Sequence, residues 1–250
     1  MAYAEFLRAR KSLAWHAAIL AALTLAILYF AGDSHVHIDG SVSMTSGMAL
    51  PLSQLAPIGM FFAAIFASSQ GASLNRENAT RDISWTKPVP RSVLALQYIA
   101  IDVAVIVIAF VLTMLAVAIV LLRAHVTPVV DPEFATLMIL GAGVAVMWYA
   151  LIQLLTFWFP AGARSIAGII WPVALLALGL ARVHGPLGAV TRAIDVINPL
   201  AYMSGVQFSS NGTQQQAITT LPLELRPLVV WLFAALFCAI VVTLWPKKEA

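Results

Sequence analysis

Few residues in this chain have types or spacing that could do chemistry. Asp102 is the one acid well inside a long apolar run. A charge at the centre of a bilayer costs about 2.5–3.5 kcal/mol on insertion scales. The carboxyl is therefore expected to be neutral, to pair with a polar group such as Gln153 on another helix, or to sit near water at one membrane face. It lies eleven residues beyond Arg91, about 16 Å along a helix at 1.5 Å per residue. His35, His37 and Asp39 alternate, and on a strand all three would point one way, as metal ligands could. Asp39-Gly40 also favours a hairpin turn. Two histidines and one acid are too few to define a site, so a solvated loop is expected and no metal or cofactor is assigned to this chain. There is no GxxxxGK[ST] loop to cradle ATP, no HExxH, no GxSxG and no pair of carboxylates inside a span. The chain is not expected to be an enzyme.

Composition sets the surroundings of these residues. Of 250 residues, 61% are hydrophobic and 10% charged, against roughly 25% charged in soluble domains. A water-soluble fold of this size could not hide so much apolar surface. The net charge is +3, but the basic residues lie between apolar runs rather than on one domain, so nucleic-acid binding is not expected. The single cysteine, Cys238, excludes an intrachain disulfide.

A spanning helix needs about 20 mostly apolar residues. Six runs meet or approach that length: 13–31, 51–70, 93–122, 133–159, 165–181 and 225–245. They are continuous rather than alternating, so helices are expected. The expected fold is all-α: one polytopic membrane domain over 1–250, with six transmembrane helices and an N-terminal interfacial helix at 2–14. In that helix Tyr3, Phe6, Leu7 and Leu13 share one face, while Glu5, Arg8 and Lys11 lie away from it. Arg10 adds to its basic character.

With the N-terminus in the cytoplasm, the inside segments hold Arg8, Arg10, Lys11, Arg76, Arg81, Lys87, Arg91, Arg164, Lys247 and Lys248. The outside segments hold Arg123, Arg182, Arg192 and Arg226. Ten against four is a positive-inside bias. Residues 71–92 then form the one long cytoplasmic loop and 182–224 a long outer segment. In the outer segment Leu187, Val190, Ile194 and Ile197 recur at helical spacing between Pro186 and Pro199, which predicts a short helix at the outer interface. Both termini are cytoplasmic.

Pro57 and Pro172 mark possible kinks. Gly59, Ala63 and Ala67 permit close helix contact, within one bundle or between chains. Trp15, Trp158 and Trp245 fall near the inner boundaries, Tyr29 and Trp231 near the outer ones. Trp148, Tyr149 and Trp171 lie deeper, where they could touch a hydrophobic substrate or simply pack.

The loop runs Asn75-Arg76-Glu77-Asn78-Ala79-Thr80-Arg81-Asp82-Ile83-Ser84-Trp85-Thr86-Lys87-Pro88-Val89-Pro90-Arg91. It resembles the corresponding loop of ABC transporter permeases of the type-2 family: a Glu after the second span, a Thr a few residues on, then Pro-x-x-Arg leading into the third. Glu77, Thr80, Pro88 and Arg91 match that pattern. Asn198-Pro199-Leu200 looks like the family's outer-loop motif, and the order of elements agrees along nearly the whole chain. One departure is Asn78-Ala79, where the family often has a glycine.

The resemblance implies a permease subunit in the inner membrane of a bacterium. Two such chains would pair, and two separate ATP-binding subunits, carrying ATP and Mg, would dock beneath them. Glu77, Thr80, Arg81, Pro88 and Arg91 are the implied docking residues, together with Phe6, Arg8, Arg10 and Lys11 of the N-terminal helix. Substrate would pass through or beside the dimer interface, lined by the second and fifth spans, with Gln54, Pro57, Asp102 and Trp171 as candidate pathway residues. Export is expected over import, because nothing in the sequence points to a periplasmic receptor. The alternative is a membrane scaffold or assembly subunit that works with an ATPase and moves no solute.

Overall fold

The computed structural model describes residues 2–30, 37–38, 42–43, 49–71, 74, 90–124, 126–158, 163–181, 185–204 and 221–245. Seven helices account for most of them: α1 (Ala2–Phe30), α2 (Ala56–Gln70), α3 (Arg91–Arg123), α4 (Phe134–Trp158), α5 (Ala163–Leu180), α6 (Pro186–Asp195) and α7 (Arg226–Leu244). Short 3-10 turns precede α2 and α7 and follow α6. Two small sheets add to the helices. β1 (His37–Ile38) pairs antiparallel with β2 (Val42–Ser43), and β3 (Ala49–Pro51) pairs parallel with β4 (Thr127–Val129), Leu50 opposite Pro128.

Five helices are long and apolar enough to cross a membrane: Glu5–Tyr29, Leu52–Gln70, Arg91–Arg123, Phe134–Trp158 and Leu223–Leu244. The expected fifth span, 165–181, falls in α5, whose 18 residues are about 27 Å long at 1.5 Å per residue, against a hydrocarbon core of about 30 Å; its stretch Gly168–Leu180 is apolar. α6 doubles back along α5: the Arg192 guanidinium reaches the Ala181 carbonyl at 3.2 Å, and the Asn198 amide reaches the Ala174 carbonyl at 3.0 Å. The two form a helical hairpin, with Pro172 inside its first arm.

α4 is the hub. Every residue from Leu140 to Ala150 is buried, and α2, α3, α5 and α7 pack around it. Small residues let them approach. A Cβ on Gly141 would come within 2.9 Å of the Phe110 ring on α3, and one on Gly143 within 2.7 Å of the Trp231 indole on α7. On α2, Gly59, Ala63 and Ala67 are all buried, and a Cβ on Gly59 would meet Met114 of α3. That stripe therefore packs within this bundle. Pro57 stands in the first turn of α2, where a missing N–H costs nothing, so it starts the helix and does not kink it.

The N-terminal region differs from expectation. α1 runs unbroken through residues 2–30, so 2–14 is no separate element. The reason is local: no glycine or proline occurs between those positions, and alanine and leucine dominate. The helix also turns its polar residues inward. Arg8, Ser12 and His16, four apart, face α2 and α3. Phe6, Trp15, Ile19, Leu23 and Ile27 are exposed, as are Arg10 and Lys11. An apolar exterior over a polar contact face suits lipid, not water.

Candidate functional site

The last turn of α2 reads Ser68-Ser69-Gln70, and it gathers side chains from four other helices. Gln70, wholly buried, sits between α1 and the core. Its Oε1 accepts from Arg8 Nη1 at 2.5 Å, and its Nε2 donates to Ser12 Oγ at 2.6 Å and to Ser69 Oγ at 2.8 Å. Arg8 Nη2 donates to Asp102 Oδ1 at 2.6 Å, and Arg8 Nε donates to Glu5 Oε1 at 2.6 Å. From α4, Tyr149 donates to Asp102 Oδ2 at 2.9 Å, and Gln153 Nε2 donates to the Tyr149 hydroxyl at 3.1 Å. Asp102 is thus an ion-paired carboxylate holding α1, α3 and α4 together. Gln153 reaches it through Tyr149, not directly.

The same junction grips the start of the 71–90 loop. Gln153 Nε2 donates to the Gln70 carbonyl at 3.5 Å, Thr156 donates to the Gly71 carbonyl at 3.3 Å, and from the end of α7 Trp245 donates to the Leu74 carbonyl at 3.3 Å. A Cβ on Gly71 would come within 2.5 Å of Ile152 on α4, so glycine is what lets the chain leave α2 this close to the core. The far end of the loop is Pro90, whose carbonyl accepts from Val93 and Leu94 to open α3. Arg91 is the first residue of that helix.

In the same turn, Ser68 ties α2 to α4 and α5. Its hydroxyl accepts from both Trp148 Nε1 at 2.8 Å and Trp171 Nε1 at 2.9 Å, and donates to the Ala64 carbonyl. The two indoles lie 4.5 Å apart, and Phe61 meets Trp171 edge-on at 5.6 Å. Trp148 and Tyr149 are fully buried, so they pack. Trp171 is half-buried beside exposed Phe61.

The expected residues thus divide. Arg8, Asp102 and Trp171 come together around the end of α2. Gln54 and Pro57 do not: Pro57 lies thirteen residues before Gln70, about 20 Å away along the helix. Phe6, Arg10 and Lys11 point outward, away from the junction. Glu77, Thr80, Arg81 and Pro88 lie outside the described residues, as do His35 and Asp39, while His37 stands in β1. Among the described residues no group of three or more histidine, cysteine or acidic side chains is placed to hold a metal. Trp245, expected at the membrane surface, is buried against the loop. The polar run Ser68-Ser69-Gln70 marks α2 in the sequence as an interface or pathway candidate, whereas Ser12 and Thr156 carry no expected role there. The run of polar residues closing an apolar helix, and the Tyr149–Gln153 spacing of four, are the signals that pointed there.

At the opposite end of the bundle, polar side chains bind main chain. Arg226, buried at the start of α7, donates to the carbonyls of Tyr202 (3.1 Å), Ser204 (2.9 Å) and Leu221 (3.1 Å). Asn198 accepts from the Leu200 amide at 3.2 Å and donates to Asp195 Oδ1 at 2.8 Å. Tyr202 donates to the Val196 carbonyl at 2.7 Å. The exposed face of α6 carries Leu187, Val190 and Ile194, while Thr191 and Asp195 are buried against the protein. No family model, no curated protein sequence and no solved structure matches the chain.

Proposed function

We propose that the chain is the membrane-spanning permease subunit of an ATP-driven transporter of the type-2 ABC kind, acting as an exporter in a bacterial inner membrane. A second permease chain pairs with it. Separate subunits that bind ATP and Mg grip the loop between α2 and α3 from the cytoplasm, where both termini also lie. The chain crosses the membrane six times in this reading, with α5 as a short fifth crossing and α6 folded back beside it.

The observation that carries the reading is the root of that loop. Its first residues are held at Gln70, Gly71 and Leu74 by side chains of α1, α4 and α7, and its last residue opens α3. The described residues at the two ends of the loop are therefore tied to α1, α3, α4 and α7. A permease must have two packings whose balance its ATPases shift, and a junction of exchangeable side-chain bonds is a suitable place to switch between them. The aromatic surface of Phe61 and Trp171 on α2 and α5 offers a face for an apolar substrate.

Reversing the charges of Glu77 and Arg91 tests this directly. The double reversal should abolish co-purification of the ATPase in mild detergent while the thermal midpoint of the solubilised chain stays within a few degrees of wild type. Undiminished ATPase association would remove the docking role.

A further inference from the structure

Asp195 is a buried acid that the coupling scheme does not use. It is 96% buried, at 4% exposure, and its Oδ2 has no hydrogen-bond partner among the described residues. Oδ1 has one, the Asn198 amide. The carboxyl also ends α6, where the helix dipole is negative and disfavours an anion. The Asn198 amide that serves it is shared with the Ala174 carbonyl. Among the described residues no cation is bonded to it. Arg192 is exposed and turned to the Ala181 carbonyl, and Arg226 is spent on three carbonyls. From Gly168 to Leu180 α5 carries no titratable residue, and the turn after α6 presents Tyr202, whose hydroxyl is engaged by Val196. Burial pushes this carboxyl up from its ordinary range, with the Asn198 hydrogen bond opposing.

The other end of α6 begins at a glycine. Gly185 precedes the helix at φ 105°, a conformation that side-chain-bearing residues rarely adopt; its carbonyl accepts from the Ala189 amide at 3.1 Å, and a Cβ there would meet no described atom within 4 Å. Between Gly185 and Asp195 lies one helix whose outer face is apolar.

We propose that Asp195 is a proton-controlled catch: carried as the neutral acid it seats α6 and the Pro199–Met203 turn against α5, and loss of its proton to water releases that end of the helix about Gly185. The inference stands independently of the ATPase, since every group in it belongs to this chain. A neutral carboxyl can be buried with one hydrogen bond, whereas a carboxylate with an unserved oxygen must draw in water. The sign follows: native Asp195 holds its proton more tightly than the unfolded chain does. The catch is at full strength below the ordinary carboxylate range and is lost as pH rises through the higher native value.

Hydrogen–deuterium exchange of the full-length chain in detergent, corrected for intrinsic rates, reads the catch. Opening of residues 186–197 should grow by up to about tenfold per pH unit above the native value, the slope of one proton, while α2–α4 stay protected. Asp195→Asn, which mimics the neutral acid, should hold the segment shut across the range. A segment with no pH dependence, or the same dependence in Asp195→Asn, would overturn the proposal. Should the variant fail to fold, the wild-type profile decides: a change confined to 186–204 supports the catch, and a uniform change across the bundle refutes it.

Discussion

Both ends of the bundle bury polar groups among apolar helices, and they satisfy them differently. Around Gln70 a network of side-chain bonds, with one cation between two acids, joins α1 to α4, and only the chain leaving α2 is held by its carbonyls. Around Arg226 and Asn198 the bonds run from side chain to main-chain carbonyl. A side-chain partner can be exchanged for another by rotation about a few χ angles. A carbonyl fixed in a turn cannot be exchanged without moving the backbone. The Arg8–Asp102–Gln70 network is therefore fitted to switch, and the Arg226 corner to hold shape.

The largest effect should come from breaking the ion pair. Asp102→Ala removes the acceptor of both Arg8 and Tyr149, leaves Arg8 with Glu5 and Gln70, and should cost about 3 kcal/mol of stability, the low end of the loss when one partner of a buried pair is removed. The double variant Arg8→Met/Asp102→Leu should recover most of that loss, because apolar pairs often replace buried ion pairs at little cost. Thermal unfolding in detergent measures both. Failure of the double variant to recover would mean that the pair does more than join the two helices.

Arg226→Leu should cost somewhat less, about 2–3 kcal/mol, from three carbonyls that lose a charged donor and are partly rehydrated. Here no second substitution should recover the loss, since the acceptors are main chain. A single side-chain change elsewhere that restored Arg226→Leu would erase the contrast between the two ends.

The sequence and the structure part company in an instructive way. Apolar length alone located α3, α4, α7 and the end of α2 to within about two residues, because a bilayer imposes that length regardless of tertiary detail. The short helix after Pro186 was legible from its spacing. The face of α1 was not. Helical periodicity separates Phe6 from Arg8, but in lipid the polar side can turn inward, and nothing local says which side does. The partner of Asp102 was hidden for a related reason. Arg8 is 94 residues away, and the nearer candidate, Gln153, serves Asp102 only through Tyr149. The return of α6 along α5 was hidden because Asn198 and Arg192, which hold it there, act through main-chain carbonyls that leave no trace in residue type.

The central claim is that this chain is driven by a separate ATPase through the root of the loop between α2 and α3. The most direct measurement is isolation of the chain from its native membranes in mild detergent, followed by identification of bound subunits and assay of ATP hydrolysis. The account predicts a P-loop ATPase in stoichiometric complex, with hydrolysis that comigrates with the chain. A chain that runs alone from those membranes, with no ATPase bound under any nucleotide condition, would contradict it.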